Sequence, residues 1–366
     1  LPETSSSASP APAATMSAEV TNRLDTAVER VMTEAGVPGA IIGIWGPAGD
    51  YVRAFGVADK KTRAPMKTGF YSRIGSLTKT FTVTAMLQLA DRGEIGLDDP
   101  IATYVPDVPN GDRITLRQLA GMRSGLANYT ADPQFQQALY ADPQRSFTPQ
   151  ELLRYAFSQP VAFAPGEGVL YSNTNTVLLG LVVEKVSERP LAEYIGHFIL
   201  EPLGMGQTSF PSDGSAGAFP DPHAEGYTTQ TGDGGETTAT EWNPSWAWAA
   251  GAMVSTLDDL RIWAPALATG ELLTRQTQEQ RLQTVAFPGQ TGRDGYGLGL
   301  FDLGGWIGHN GSLPGYQSVA VYLPEERTTL VILVNTDIPF DGADPGTLLA
   351  TAITTELTPE HVYTIG

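Results

Sequence analysis

The sequence has 366 residues, a length that fits two domains or one large domain with an insertion. With 41% hydrophobic and 17% charged residues, we expect a packed core rather than a disordered chain. Cysteine is absent, which excludes disulfides, thiolate metal ligands and a cysteine nucleophile. The 22 basic and 40 acidic residues give a net charge of −18, which argues against nucleic acid and anionic membrane surfaces as partners. No apolar run approaches the about 18 residues of a membrane span.

The first 16 residues predict a flexible leader. They are rich in Pro, Ala and Ser, and they show neither apolar periodicity nor a basic cluster. The chain begins at Leu1 rather than Met, so we expect a processed or trimmed chain, for example after removal of a signal peptide. We therefore expect an extracytoplasmic protein that is secreted or associated with the cell envelope.

The first elements mix helix and strand. Apolar residues at helical spacing predict an amphipathic helix over residues 17–35. Two apolar runs, 40–45 and 51–58, flank a Pro-Ala-Gly-Asp segment, a pattern that predicts a β-hairpin. A helical stretch follows over residues 74–93 and ends at a glycine.

The middle of the chain is predicted to be helical and its end to return to strand. Helices interrupted by Pro and Gly are predicted over residues 116–122, 149–157, 174–186 and 191–200. Strands are predicted over residues 306–309, 316–323 and 328–334, and a closing helix over 346–357. Both ends therefore supply helix and antiparallel strand.

This order predicts an α/β fold of the α+β type. We expect an antiparallel sheet flanked by the N- and C-terminal helices, together with a mostly helical insertion. Residues 17–70 and 245–366 would form a discontinuous α/β domain, and residues 71–244 the helical domain. The active site is expected at the seam between the two, where clefts commonly form.

Several catalytic signatures are missing. The chain has neither a G-x-S-x-G nucleophile elbow nor a phosphate-binding P-loop. Its four histidines are scattered without metal-ligand spacing, and the glycine-rich segment 295–299 lacks the dinucleotide-binding pattern. The sequence therefore predicts neither a metal site nor a cofactor.

An S-x-x-K motif, Ser76 to Lys79, stands at the start of a predicted helix. A spacing of three places both side chains on one face, one turn apart. Ser76 is thus a candidate nucleophile, and the helix N-terminus favours negative charge there. A desolvated lysine or a neighbouring phenolate could take its proton.

Two further motifs are weaker on their own. Tyr171-Ser172-Asn173 precedes a predicted helix, so Tyr171 could be a general base or a packing residue, and Asn173 a substrate ligand or a helix cap. His309-Asn310-Gly311-Ser312 follows a predicted strand. It could offer a backbone N–H to an oxyanion, with Gly311 permitting close approach of the substrate, or it could be a structural strand end.

In this order and at these separations, the three motifs resemble those of the penicillin-recognising serine hydrolases. That superfamily includes D-alanyl-D-alanine carboxypeptidases, class C β-lactamases, esterases and D-amino-acid peptidases. The resemblance runs from about residue 20 to residue 357 and is strongest to the secreted DD-carboxypeptidase branch. Accompanying segments at 112–119, 123–126 and 295–300 also resemble the family. The resemblance implies a β-lactamase/DD-peptidase-like fold.

The resemblance also implies roles for the motif residues. Ser76 would be the acylated nucleophile, Lys79 its partner and Tyr171 the general base and acid. Asn173 would hold the substrate amide, and His309 would tune Tyr171 and the substrate. The remaining third-motif residues, Asn310, Gly311 and Ser312, would bind the substrate, with the backbone N–H groups of Ser76 and Ser312 forming the oxyanion hole.

Two departures from the DD-carboxypeptidase pattern concern the substrate's terminal carboxylate. Asn310 stands where that branch usually has threonine. Phe301 and Asp302 stand where an arginine can follow the segment 295–300. We expect Asp302 to oppose a carboxylate ligand, which would leave Arg293 or His309 as the alternative cations.

The sequence thus favours a serine hydrolase that forms an acyl-enzyme, first of all a D-alanyl-D-alanine carboxypeptidase acting on cell-wall peptides. The alternatives are a class C-like β-lactamase, an esterase or a D-peptide amidase on the same scaffold. A non-catalytic penicillin-binding or sensor domain is a further alternative. The expected partner is a small peptide or β-lactam substrate, and no oligomer is required.

Overall fold

The computed structural model describes residues 14–211 and 219–365. Its strands are, in chain order, β1 Gly39–Trp45, β2 Tyr51–Gly56, β3 Ser72–Arg73, β4 Tyr227–Thr228, β5 Thr237–Thr238, β6 Val254–Ser255, β7 Gly295–Tyr296, β8 Phe301–Leu303, β9 Trp306–Leu313, β10 Tyr316–Leu323 and β11 Thr328–Val334. Seven of them form an antiparallel sheet in the order β2-β1-β11-β10-β9-β8-β7. The pairs β3–β6 and β4–β5 form two short ladders.

The described ranges contain eleven α-helices: α1 Ala18–Ala35, α2 Thr78–Asp91, α3 Leu116–Ala120, α4 Pro133–Ala141, α5 Pro149–Phe157, α6 Asn173–Ser187, α7 Leu191–Ile195, α8 Glu201–Leu203, α9 Leu257–Thr269, α10 Arg275–Arg281 and α11 Pro345–Leu357. A π-helical segment, Gly196–Leu200, joins α7 to α8. None of these helices is long and apolar enough to cross a membrane.

Both faces of the sheet are buried. On β11, Leu330, Ile332 and Val334 point into a core shared with α1 and α11. The alternate residues Val331 and Leu333 point into a second core, shared with α9 and the other helices. Because both faces are covered, the central strands are continuous apolar runs rather than alternating ones.

The predicted fold class is confirmed: an antiparallel sheet lies between terminal helices on one face and further helices on the other. The bounds of β10 and β11 are those predicted, and α11 begins one residue early. The division into domains at residues 70 and 244 stays a prediction. Of the expected leader, residues 1–13 lie outside the described residues. Thr15 bridges to Asp50 and Met16 is buried, so packing begins before residue 17.

Some elements differ from the sequence prediction. Helices α4, α9 and α10 were not predicted, and α9 carries Pro265 in its interior, a residue that usually interrupts helices. The strand predicted over 306–309 continues to Leu313. Asn310 and Gly311 suggested a turn because both are common turn residues. In the structure Gly311 stays in the strand, where a side chain would collide with the carbonyl oxygen of Ile74.

Helices α2 and α9 are joined by one aromatic contact. Trp263 of α9 stacks on Phe81 of α2 with ring centroids 4.1 Å apart and an interplanar angle of 12°. The indole Nε1 of Trp263 donates a hydrogen bond of 2.8 Å to the Thr80 hydroxyl. Both rings are fully buried, so this pair anchors α2, which carries Lys79, to α9.

We predict that Trp263→Ala lowers the free energy of unfolding by about 3–5 kcal/mol, because it removes a buried ring and leaves a cavity. The matched control is Ile262→Ala, since Ile262 is the adjacent residue of α9 and is 37% exposed. That control should cost about 0.5 kcal/mol. Urea denaturation of both variants measures the difference in the free energy of unfolding. Equal losses in the two variants would contradict the stabilising role of the buried Trp263 ring.

Candidate active site

Ser76 lies in the 3₁₀ turn Gly75–Leu77 directly before α2. The turn packs against β9 and β10, and the hydroxyl of Ser318 on β10 donates a 2.7 Å hydrogen bond to the carbonyl of Ile74, the residue before the turn. Gly75 has a positive φ of 55°, and a Cβ there would lie 2.9 Å from the backbone nitrogen of Ser312. Glycine therefore lets the turn approach the strand, with Ser76 presented at the start of a helix.

Lys79 lies beside Ser76, as the S-x-x-K spacing predicted. Its Nζ is 2.8 Å from the Ser76 Oγ. The same Nζ is 2.6 Å from the Asn173 Oδ1 and 2.9 Å from the Ala250 carbonyl oxygen. The side chain is wholly buried, so these three neutral oxygens are its polar surroundings. The Ala250 carbonyl was not anticipated, because no motif marks the Trp248–Ala250 turn.

Burial lowers the pKa of Lys79 well below its ordinary value, because a charged amine loses its hydration. The hydrogen-bond pattern fits a neutral amine. In the neutral form its two N–H groups donate to Asn173 and Ala250, whose oxygens can only accept, which leaves the lone pair directed at the Ser76 Oγ, 2.8 Å away. Lys79 is thus placed to receive the serine proton.

Tyr171 lies in the loop before α6, and its ring centroid is 4.9 Å from the Lys79 Nζ. Burial raises the pKa of the Tyr171 hydroxyl, and its hydrogen bond with Ser76 partly opposes the shift. The tyrosine therefore keeps its proton at neutral pH and is better suited to give a proton than to take one.

The carboxamide of Asn173 is engaged inside the protein. Its Nδ2 donates to the Asn128 Oδ1 at 3.2 Å and to the Thr130 Oγ1 at 3.1 Å, while its Oδ1 accepts from Lys79. The residue lines the cavity, and its expected contact with a substrate amide stays a prediction. Asn128 and Thr130 were missed, because neither belongs to a recognisable motif.

His309 is buried in the middle of β9, behind Tyr171. Its Nδ1 donates to the carbonyl oxygen of Asn310 at 2.5 Å, so its Nε2 carries no proton and accepts from the Tyr296 hydroxyl at 3.0 Å. Burial, with the nearby Lys79 amine, lowers the pKa of His309 to about 3. The ring centroid is 6.1 Å from that of Tyr171. His309 can act on Tyr171, but it is not among the described residues that line the cavity.

The rest of the third motif divides between the cavity and the core. Asn310 and Ser312 line the cavity. A side chain at Gly311 would collide with the Ile74 carbonyl oxygen, so this glycine admits the protein's own backbone, and its expected role in the approach of the substrate stays a prediction. A Cβ at Gly75 would lie 2.9 Å from the Ser312 nitrogen, so the backbone of Ser312 lies next to the turn that carries Ser76. The oxyanion role of the Ser76 and Ser312 backbone N–H groups stays a prediction.

The expectation that Asp302 would repel a substrate carboxylate is wrong. Neighbouring residues of a strand point to opposite faces, and on β8 Phe301 lines the cavity while Asp302 points away from it. The carboxylate of Asp302 is paired with Arg293 at 3.2 Å, and Arg293 also contacts Glu325 at 3.5 Å. Neither Asp302 nor Arg293 therefore meets a ligand beside Ser76.

The cavity at Ser76 has a volume of about 410 Å³. Its wall is mainly aromatic and aliphatic, with side chains of Tyr129, Trp246, Phe287, Phe301, Leu313 and Ile365. Among the described residues that line it there is no lysine, arginine or histidine, and Asp344 supplies a carboxylate. The arrangement can activate a serine and bind an apolar group, but its wall offers no cation to an acid.

Two solved structures are similar to this chain over nearly its whole length. A D-stereospecific amidohydrolase from Streptomyces sp. is 31% identical with a TM-score of 0.82, covering 93% of this chain and 99% of that one. The D-amino acid amidase from Ochrobactrum anthropi SV3, complexed with L-phenylalanine amide, is 28% identical with a TM-score of 0.81 and the same coverage.

Penicillin-binding protein 4* of Bacillus subtilis (strain 168) is 27% identical over 300 residues, which are 78% of this chain and 65% of that protein. The chain spans less than two thirds, 62–66%, of the length of the first curated relatives that it matches. The Beta-lactamase family model matches residues 24–353. With the fold, this confirms the resemblance seen in the sequence: the chain belongs to the Beta-lactamase family.

Proposed function

We propose that this protein is a serine hydrolase, an amidohydrolase for derivatives of D-amino acids that lack a free C-terminal carboxylate. The observation that carries the proposal is the cavity wall, which has no cationic side chain among the described residues. Phe301 occupies the place where an arginine could pair with an acid. The similarity to a D-stereospecific amidohydrolase and a D-amino acid amidase supports the D-configuration and the amide bond.

In the proposed first step Ser76 attacks the substrate carbonyl carbon. The Ser76 hydroxyl gives its proton to the neutral Lys79 amine, 2.8 Å away, as its oxygen forms the new bond. Negative charge then develops on the carbonyl oxygen, where the N–H groups of Ser76 and Ser312 would stabilise it.

The second step expels the amine. Tyr171, protonated and beside both Ser76 and Lys79, would give its proton to the leaving nitrogen and recover one from the Lys79 ammonium. The acyl-enzyme remains on Ser76 until water attacks it, with the same groups acting in reverse. The three side chains begin and end neutral, and charge is present only in the tetrahedral intermediate, as the Lys79 ammonium and the oxyanion.

A D-alanyl-D-alanine carboxypeptidase is the second candidate. The motif pattern and the similarity to penicillin-binding protein 4* favour it. Its substrate ends in a carboxylate, which this cavity would have to hold with neutral donors such as Asn310 and Ser312. For either function we keep the proposal that the protein works outside the cytoplasm, on the basis of the family resemblance.

The proposal is tested by steady-state hydrolysis of D- and L-phenylalanine amide together with a peptide ending in D-Ala-D-Ala. We expect cleavage of the D-amide, with the L-amide and the free-acid peptide slower. Preference for the free-acid peptide would replace the proposal with the carboxypeptidase.

We predict that Ser76→Ala abolishes covalent labelling by a fluorophosphonate probe, because the reagent needs an activated serine. The variant should keep the wild-type melting temperature, since it loses only one hydroxyl. Ser158→Ala, at an exposed serine outside the cavity, is the matched control and should label fully. Intact-protein mass spectrometry reads the label, and a full adduct on Ser76→Ala would place the nucleophile elsewhere.

The pH profile of kcat/KM tests the protonation states. Activity should fall towards acid as Lys79 gains a proton, with a midpoint below the ordinary lysine value because burial lowers its pKa. It should fall towards alkali as Tyr171 loses its proton, with a midpoint above the ordinary tyrosine value because burial raises its pKa. With a pKa of about 3, His309 should add no inflection near neutrality.

A neutral anilide substrate, corrected for uncatalysed hydrolysis, is suited to this profile. In Tyr171→Phe the rate should drop about 10²–10⁴-fold and the alkaline fall should disappear. An inflection between pH 6 and 7 that vanishes in His309→Gln would show instead that the histidine ionises.

The cavity wall predicts a further specificity change. Wild type should cleave a D-Ala-D-Ala-type peptide amide at least as well as the free acid. Phe301→Arg should shift the ratio towards the acid by roughly 10–150-fold, the value of one shielded charge-assisted pair. Phe301→Leu controls for loss of the aromatic packing with Tyr296 and His309, and should leave the ratio unchanged. If wild type prefers the free acid a hundredfold, the conclusion that the cavity wall has no partner for a substrate carboxylate is wrong.

A further inference from the structure

Asp344 brings a carboxylate to the cavity of Ser76. It precedes α11 directly, at the capping position, yet its side chain makes no capping hydrogen bond to the helix. It lines the same cavity as Ser76, Asn310 and Phe301, and it is the charged residue among the described lining residues. An aspartate at this position usually accepts a hydrogen bond from a backbone N–H of the first helical turn, and the Asp344 carboxylate does not.

Asp344 lies beside Gln317 of β10, and β10 pairs with β9, the strand that contains Ser312. Gln317, buried on β10, lies close enough to the Asp344 carboxyl to lower its pKa. The side-chain amide of Gln317 donates to the Ser312 Oγ at 3.2 Å and accepts from the Gly346 N–H at 2.9 Å. Gln317 thus joins Ser312, whose backbone lies against the Ser76 turn, to the start of α11, which Asp344 directly precedes.

The surroundings of Asp344 contain no compensating cation among the described residues. Burial raises the pKa of its carboxyl, and the neighbouring Gln317 side chain opposes the shift. The other ionisable groups at the cavity, Tyr129, Tyr171 and Lys79, are driven towards their neutral forms by burial. A half-buried carboxylate among neutral groups gains most from a ligand that brings a positive charge.

We propose that Asp344 binds a protonated amine of the substrate, so that the site takes D-amino-acid amides, anilides and short peptides with a free amino group. The proposal rests on the amidohydrolase function proposed above and specifies its substrate class. An ammonium group would donate hydrogen bonds to the carboxylate, whereas an N-acylated substrate could not supply the charge. A substrate carboxylate would meet repulsion from the same residue.

The test compares D-alanine p-nitroanilide with its N-acetyl derivative on wild type and Asp344→Asn, a nearly isosteric change. Wild type should prefer the free amine, and the ratio of the two kcat/KM values should fall roughly 10–150-fold in the variant. Asp341→Asn removes an exposed carboxylate three residues away and should keep the wild-type ratio. A wild-type ratio retained in Asp344→Asn, or a wild-type preference for the acetylated anilide, overturns the proposal.

The pH dependence of that ratio gives a second readout. Lys79 and Tyr171 act on both substrates and cancel in the ratio, whereas an α-amino group loses its proton near pH 8. The wild-type preference should therefore decline above about pH 8, and the variant should show no such decline. A preference that persists to pH 10 would show that Asp344 does not recognise the charge.

Failure of the amidohydrolase function has a separate signature. If neither anilide is cleaved while p-nitrophenyl butyrate is, the enzyme is an esterase and the function proposed above is wrong. The proposed ammonium-binding subsite at Asp344 is then tested by measuring how strongly D-phenylalaninol and N-acetyl-D-phenylalaninol inhibit the cleavage of p-nitrophenyl butyrate. Asp344→Asn should weaken inhibition by the free amine alone, and equal inhibition by both compounds in wild type overturns the subsite.

Discussion

The burial of the Lys79 amine among neutral oxygens is the constraint on which the rest of the site depends. Its partners come from three segments: the turn of Ser76, the start of α6 at Asn173, and the turn that ends at Ala250. A buried polar group that loses a partner is costly, so these segments fix one another's positions. Because none of these three partners is a carboxylate, desolvation favours the neutral amine, and that form can accept the serine proton.

The second constraint is the contact between the Ser76 turn and β9. At Gly75 and Gly311 a side chain would meet backbone atoms of the opposite segment, so the two backbones touch directly. Strand β9 lies inside a sheet that is covered on both faces, and it cannot shift without disturbing both cores. Ser76 therefore rests on a rigid wall, as a site that stabilises a developing charge requires.

The sequence predicted what local periodicity and short motifs encode. Strands β10 and β11 and helix α1 follow from apolar patterns, and the Ser76–Lys79 pair follows from helical spacing. What it could not show depends on segments far apart in the chain. The contact between Ala250 and Lys79 spans 171 residues, and Asn128 reaches Asn173 across 45.

The continuation of β9 through Asn310 and Gly311 was hidden for the same reason, since its cause is packing on Ile74 rather than any local preference. Asp302 shows the limit most clearly. Its position in the sequence suggested a charge in the cleft, but the alternation of side chains on β8 turns it outward to Arg293. The acid that does line the cleft, Asp344, precedes a helix and carries no motif.

The charge of the whole molecule acts in the same direction as Asp344. A net charge of −18 attracts cationic molecules and repels anionic ones at long range, which raises the encounter rate of a substrate with a free ammonium group. Salt screens this field beyond about 8 Å at physiological ionic strength, so it cannot choose between bound substrates. That choice falls to short contacts in the cavity, where Phe301 offers nothing to an acid and Asp344 offers a partner to an amine. The net charge would thus raise the rate at which cationic substrates reach the cavity, and the half-buried carboxylate of Asp344 would determine which bound substrate is preferred.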